Sequence, residues 1–170
     1  MPSTRNQRQR GNALVEFTLL GIPMTFILIS IVSVSIGMWE YQNLAWAVDQ
    51  TARYGTMHGV TCTQNSNSCT INVGNMASYF ISSASALNPG TVSVSFTDGS
   101  GVATTCNPVN TCTSNATQFP GTAYNSIGSD IKVTATYSVP NPIAVYWPGQ
   151  GSVSSQNFTL GATSRQRIEF

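Results

Sequence analysis

Hydrophobic positions follow three different patterns along the chain. From Phe17 to Trp39, the stretch FTLLGIPMTFILISIVSVSIGMW passes 23 residues without a charge. A helix of that length spans ~34 Å, against a hydrocarbon core of ~30 Å. An isolated span must be helical, because lipid offers backbone amides no partner. One transmembrane helix is therefore expected. From Glu40 to His58 the apolar residues thin out to helical spacing, with Leu44, Val48 and Ala52 at i, i+4 and i+8 and Tyr41 and Tyr54 near the same side. The helix is expected to leave the bilayer as an amphipathic stem, ending at Gly55 and Gly59. A second helix is expected over residues 75–88, capped by Asn75. Met76, Phe80, Ala84 and Leu87 form its apolar face, Ala77 and Ile81 lie beside them, and Asn88-Pro89-Gly90 stops it.

Beyond residue 90 the period drops to two. Val92, Val94 and Phe96 alternate in TVSVSFT, the turn signal Asp98-Gly99-Ser100-Gly101 follows, and VATT reads as the returning strand. Ile131, Val133, Ala135, Tyr137 and Val139 alternate in IKVTATYSV, which Pro140 and Pro142 end. A last strand runs through Phe158, Leu160 and Ala162. Residues 107–130 read as a long polar loop. Helices followed by strands, without βαβ alternation, predict an α+β fold with a small antiparallel sheet. About 110 residues lie beyond the stem, enough for one core and not two.

Composition sharpens this division. Only 8% of residues are charged, against about 25% in an ordinary soluble domain, so an apolar segment is joined to a domain that is polar through Ser, Thr and Asn. Arg5, Arg8 and Arg10 precede the apolar run, whereas Glu40 and Asp49 follow it before Arg53. The positive-inside bias then places the N-terminus in the cytoplasm and residues 40–170 outside. Export suits disulfides. Four cysteines allow three pairings. The short polar loops favour Cys62–Cys69 and Cys106–Cys112. A zinc site is the rival reading, with spacings longer than the usual knuckle.

Catalytic patterns are scarce. His58 is the only histidine and Lys132 the only lysine. No GxSxG, phosphate-binding loop or His–carboxylate metal cluster occurs, so the sequence offers no case for an enzyme, a metal or a cofactor. Arg165 and Arg167 are too small a basic spot for nucleic acid.

The informative stretch is RQRGNALVEF, Arg8–Phe17, where Glu16 opens the apolar run. Three readings compete. A secretory signal peptide would use Ala45-Trp46-Ala47 as its site, but its apolar core has only ~7–15 residues. A plain signal anchor would stay unprocessed. A prepilin-type leader is short and basic, ends in Gly, and is followed by a Glu at the fifth mature position.

The third reading can be narrowed. Arg10–Trp39, with its RG-x-A-x-VEF start and early Pro23, resembles the opening of the TadE-like family, minor pilin-like proteins of the Tad (tight adherence) pilus system. The segment AWAVDQTARYGTMHG, residues 45–59, is similar to that family's Ala-Arg-Tyr segment. The resemblance covers residues 9–59. It implies a pilin-like fold in three parts: leader 1–11, transmembrane helix 12–39, and exported stem and α+β domain 40–170. It also implies cleavage between Gly11 and Asn12 by a prepilin peptidase, with Glu16 and Phe17 as the assembly positions. The new ammonium group on Asn12 would pair with Glu16 of the same or a neighbouring subunit. The implied surroundings are a bacterial inner membrane, with the C-terminal domain periplasmic or on a surface pilus. The implied partners are other Tad pilins, pseudopilins and assembly proteins.

Overall fold

The computed structural model describes residues 5–58, 70–139 and 158–169, with side chains from residue 14 onward. One helix, α1 (Arg5–Thr56), takes up 52 residues and runs through Pro23 without a break. At 1.5 Å per residue it is ~78 Å long. Pro23 has no N–H for the carbonyl four residues back, yet the helix continues on both sides.

The stem half of α1 buries a stripe. Leu44, Ala47, Val48, Thr51 and Ala52 are all at most 1% exposed. This is the i, i+3, i+4 pattern of a core-facing helix, and it is wider than the i+4 ladder legible in the sequence. Apart from Leu44 the stripe consists of small residues, and α1 lies close to the sheet. Thr51 is tolerated inside because its hydroxyl donates to the Ala47 carbonyl at 2.7 Å. Helix α1 ends at Thr56, in the expected region between the two glycines and one residue past Gly55. A Cβ on Gly55 would sit 3.1 Å from Met76 Cε and 3.2 Å from Ile131 Cδ1, so Gly55 is a point of close approach. Gly59 lies outside the described residues.

Helix α2 (Val73–Ser83) is capped by Asn72, three residues earlier than the expected cap at Asn75. The Asn72 side chain accepts from the Asn75 amide at 2.7 Å, and the Asn75 side chain accepts from the Asn72 amide at 3.2 Å. Asn75 is thus the third residue of a reciprocal capping box rather than its first. The helix ends at Ser83, short of residue 88, but Met76, Ala77, Phe80, Ala84 and Leu87 are buried as expected.

Four strands form one antiparallel sheet in the order β2-β1-β3-β4: β1 (Val92–Thr97), β2 (Ala103–Cys106), β3 (Asp130–Val139) and β4 (Phe158–Arg167). Val92, Val94 and Phe96 face the core beside Ile131, Val133, Ala135 and Tyr137. Stem and α2 cover that face. The molecule is therefore α+β, with a long N-terminal helix, a short second helix and a small antiparallel sheet.

Residues 107–130 differ from the polar loop expected. They contain two short 3-10 helices, Val109–Cys112 and Thr122–Tyr124. Val109 and Phe119 are buried, and Phe119 tilts against Phe96 with ring centroids 5.9 Å apart. The segment also satisfies the start of α2. Val73 N–H donates to the Thr117 carbonyl and Gly74 N–H to the Asn115 carbonyl, both at 2.9 Å. The first amides of a helix have no partner within it, and here this segment supplies one.

Candidate functional site

The segment that carries the sequence signal is the outer half of α1. Gly11 and Asn12 lie within the helix, and their side chains are outside those described. Glu16 stands one turn after Asn12, a rise of ~6 Å, and its side chain is exposed. Phe17 is 75% exposed. Its ring leans toward Gly21, where a Cβ would meet Phe17 Cε1 at 3.9 Å. Phe17, Gly21, Ile22, Thr25 and Phe26 line a shallow apolar groove on this side of the helix.

The uncharged run turns apolar groups outward around the whole helix. Leu19, Leu20, Ile27, Leu28, Val34 and Ile36 are all more than half exposed. The helix from Leu14 contains an 18-residue stretch of mean hydropathy 2.3 and is long enough to cross a membrane. Its polar groups are closed on themselves. The hydroxyls of Thr18, Thr25, Ser30, Ser33 and Ser35 each donate to a carbonyl one turn back, at 2.8–3.1 Å. In lipid an unpaired hydroxyl costs free energy that these bonds remove. Ser30, Ser33 and Gly37 are half-buried, and small side chains of this kind permit close helix approach.

A carboxylate stands at each end of the run. Glu16 is exposed, whereas Glu40 turns toward the domain. Its Oε2 is buried and has no hydrogen-bond partner among the described residues. Burial pushes the Glu40 carboxyl above its ordinary value. The Tyr137 phenol is pushed up by burial and by the charge of Glu40, against a lowering hydrogen bond with Thr91. Glu40 thus marks where the free helix becomes the packed stem.

Beyond it, Asp49 fastens stem to sheet. Its Oδ1 accepts from Ser164 Oγ and Gln166 Nε2, both at 3.2 Å, and its Oδ2 pairs with Arg53 Nε at 2.9 Å. In the sequence Asp49 counts only toward membrane orientation. Its i, i+4 spacing to Arg53 is a legible signal of a helix-surface pair, but nothing in the sequence announces the two partners on β4.

The cysteines divide. Cys106 and Cys112 form a disulfide, with Cα atoms 5.7 Å apart, joining the end of β2 to the first 3-10 helix. Cys62 and Cys69 lie outside the described residues. His58 caps the stem, with Nδ1 2.7 Å from the Tyr54 carbonyl and its ring against Tyr54, which stacks on Tyr79. Among the described residues no group of three or more His, Cys, Asp or Glu side chains is placed to hold a metal.

Residues 11–53 match the model of a protein family described as TadE-like protein. This is the family that the N-terminal segment resembles, and the match covers about a quarter of the chain. No curated protein and no solved structure matches.

Proposed function

We propose that this chain, TadE-like over residues 11–53, is a non-catalytic minor pilin or pseudopilin that takes part in assembling a Tad pilus. The observation that carries the proposal is the matched segment itself. It begins at Gly11 and takes in Glu16, the apolar run and the stem up to Arg53. A family of pilus components supports association with a membrane and with other pilus subunits.

On this reading the chain inserts once into a bacterial inner membrane, N-terminus cytoplasmic and residues 40–170 periplasmic. A prepilin peptidase cuts between Gly11 and Asn12. The cut removes Arg5, Arg8 and Arg10, leaving four basic residues against six acidic ones. Loss of the basic flank weakens retention in the bilayer, which suits a subunit that must be extracted. The cut also creates an ammonium group on Asn12. A carboxylate in low dielectric is costly without a cation, so Glu16 favours a packing that brings it an amine. An amine on a neighbouring copy rewards a staggered, parallel arrangement of helices.

Mass spectrometry of the mature N-terminus tests the cut. A chain beginning at Asn12 is expected. One beginning at Met1 would mean an unprocessed membrane-anchored binding module, and one beginning at Val48 a cleaved signal peptide. Glu16→Ala is expected to leave membrane insertion intact and to abolish incorporation into pili. Normal piliation in that variant would remove the role assigned to Glu16.

A further inference from the structure

The direction of α1 fixes the ends of the domain. Glu40 lies near Tyr137 at the end of β3, and Gly55 packs on Ile131 at its start. The start of β3 is therefore the end of the sheet farthest from the apolar run. An open groove of about 520 Å³ lies there, on the sheet face turned away from the helices.

Its walls are held in place. Asp98 Oδ1 accepts from the Ser100 amide at 2.9 Å and Oδ2 from the Gly121 amide at 3.0 Å, tying the β1–β2 turn to the segment before Tyr124. Gly101 supplies the turn's left-handed backbone at φ 78°. The Tyr124 ring lies so close to this turn that a Cβ on Gly99 would approach its Cδ1 to 3.0 Å. The ring nevertheless remains 40% exposed. Two cations, Lys132 and Arg165, and two carboxylates, Asp98 and Asp130, line the groove. Lys132 and Arg165 face each other across β3 and β4. Asp130 accepts from Arg165 Nη2 at 2.6 Å and lies 3.5 Å from Arg167 Nε. Lys132 has no ion-pair partner among the described residues.

The same sheet face continues as rows of hydroxyls. Ser93, Ser95 and Thr97 on β1 run beside Thr134 and Thr136 on β3 and Thr163 on β4, by strand register. Planar ring, unpaired ammonium, guanidinium and hydroxyl rows together match a ligand with sugar rings, carboxylates and many hydroxyls. Nucleic acid needs a longer basic track. An acidic peptide would bind by strand addition at a sheet edge, whereas this groove lies on a face, with one aromatic ring as its apolar surface.

We propose that this groove binds a hexuronate-bearing polysaccharide: a carboxylate on Lys132 and Arg165, a sugar ring on Tyr124, and the chain continuing along the hydroxyl rows. The proposal does not depend on processing at Gly11.

The test is calorimetric titration of the full chain in detergent micelles with tetragalacturonate, in about 0.1 M salt to screen non-specific attraction. Maltotetraose and a tetraglutamate peptide are titrated in parallel. Tetragalacturonate is expected to bind, with Lys132→Gln and Tyr124→Ala each weakening it about tenfold or more. The neutral sugar and the peptide are expected to bind at least about tenfold more weakly. Amide spectra check that each variant is folded. Lys132→Gln alters only an exposed side chain and decides the matter if Tyr124→Ala disturbs the 98–101 turn. No binding of tetragalacturonate, unchanged affinity in Lys132→Gln, or equal affinity for tetraglutamate would each overturn the proposal.

Discussion

At the scale of the residue, Gly74 shows how little room the domain leaves. It is the second residue of α2, and a Cβ there would lie 2.6 Å from the Thr113 carbonyl oxygen and 3.0 Å from that of Asn115. Both obstacles are backbone, and Asn115 is held by the bond it accepts from the Gly74 amide. In an open helix Gly→Ala gains about 1 kcal/mol. Here the clash outweighs that gain, and Gly74→Ala is expected to destabilise the domain by about 2 kcal/mol, measurable as a lowered urea midpoint at unchanged slope. The sequence holds no sign of this, because a glycine near a helix start also reads as ordinary capping. The Asn72 cap was missed for a related reason. Two asparagines three residues apart are both good caps, and only the tertiary bonds to residues 115–117 decide where the helix begins.

At the scale of the element, the β3–β4 pair combines a legible pattern with a hidden one. Alternation along Ile131 to Val139 is strong enough to place β3 from sequence, and Ala162 places β4. The ion cluster at their far end is not legible, since Asp130, Arg165 and Arg167 are brought together only by register. The hydrogen bond from Arg165, and then the charges of Arg165 and Arg167, hold the Asp130 carboxyl below its ordinary value despite some desolvation. A carboxylate with a depressed folded pKa stabilises the fold above its unfolded pKa, and that contribution is lost as pH falls through the folded value. Acidification is therefore expected to loosen this end of the strand pair first. NMR titration should give Asp130 a midpoint below that of an unstructured aspartate, and Arg165→Gln should raise it. An Asp130 midpoint unmoved by that substitution would count against the cluster.

At the scale of the whole molecule, the long apolar run and the domain core share one element. The uncharged run and the stem spacing made α1 legible, and the family match falls on the same stretch. Residues 107–130 were not legible, because Val109 and Phe119 are isolated apolar residues without a period, and long-range pairing with residues 71–74 gives them their place. The stem is integral to the core: Leu44 is completely buried. Leu44→Ala is expected to cost about 3 kcal/mol and to lower the unfolding midpoint of the entire domain in micelles. A variant that frayed the helix while leaving the sheet's transition unchanged would show the stem to be a separate unit.

The seating of α1 along β3 and β4 also has a mechanical meaning. A pull on the apolar end is directed along the helix axis, nearly parallel to the strands it rests on. Leu44, Val48, Ala52 and the Asp49 bonds then bear the load together, in shear, where a perpendicular pull would open them one after another. The small side chains that let the helix sit close also let it resist extraction from its own domain.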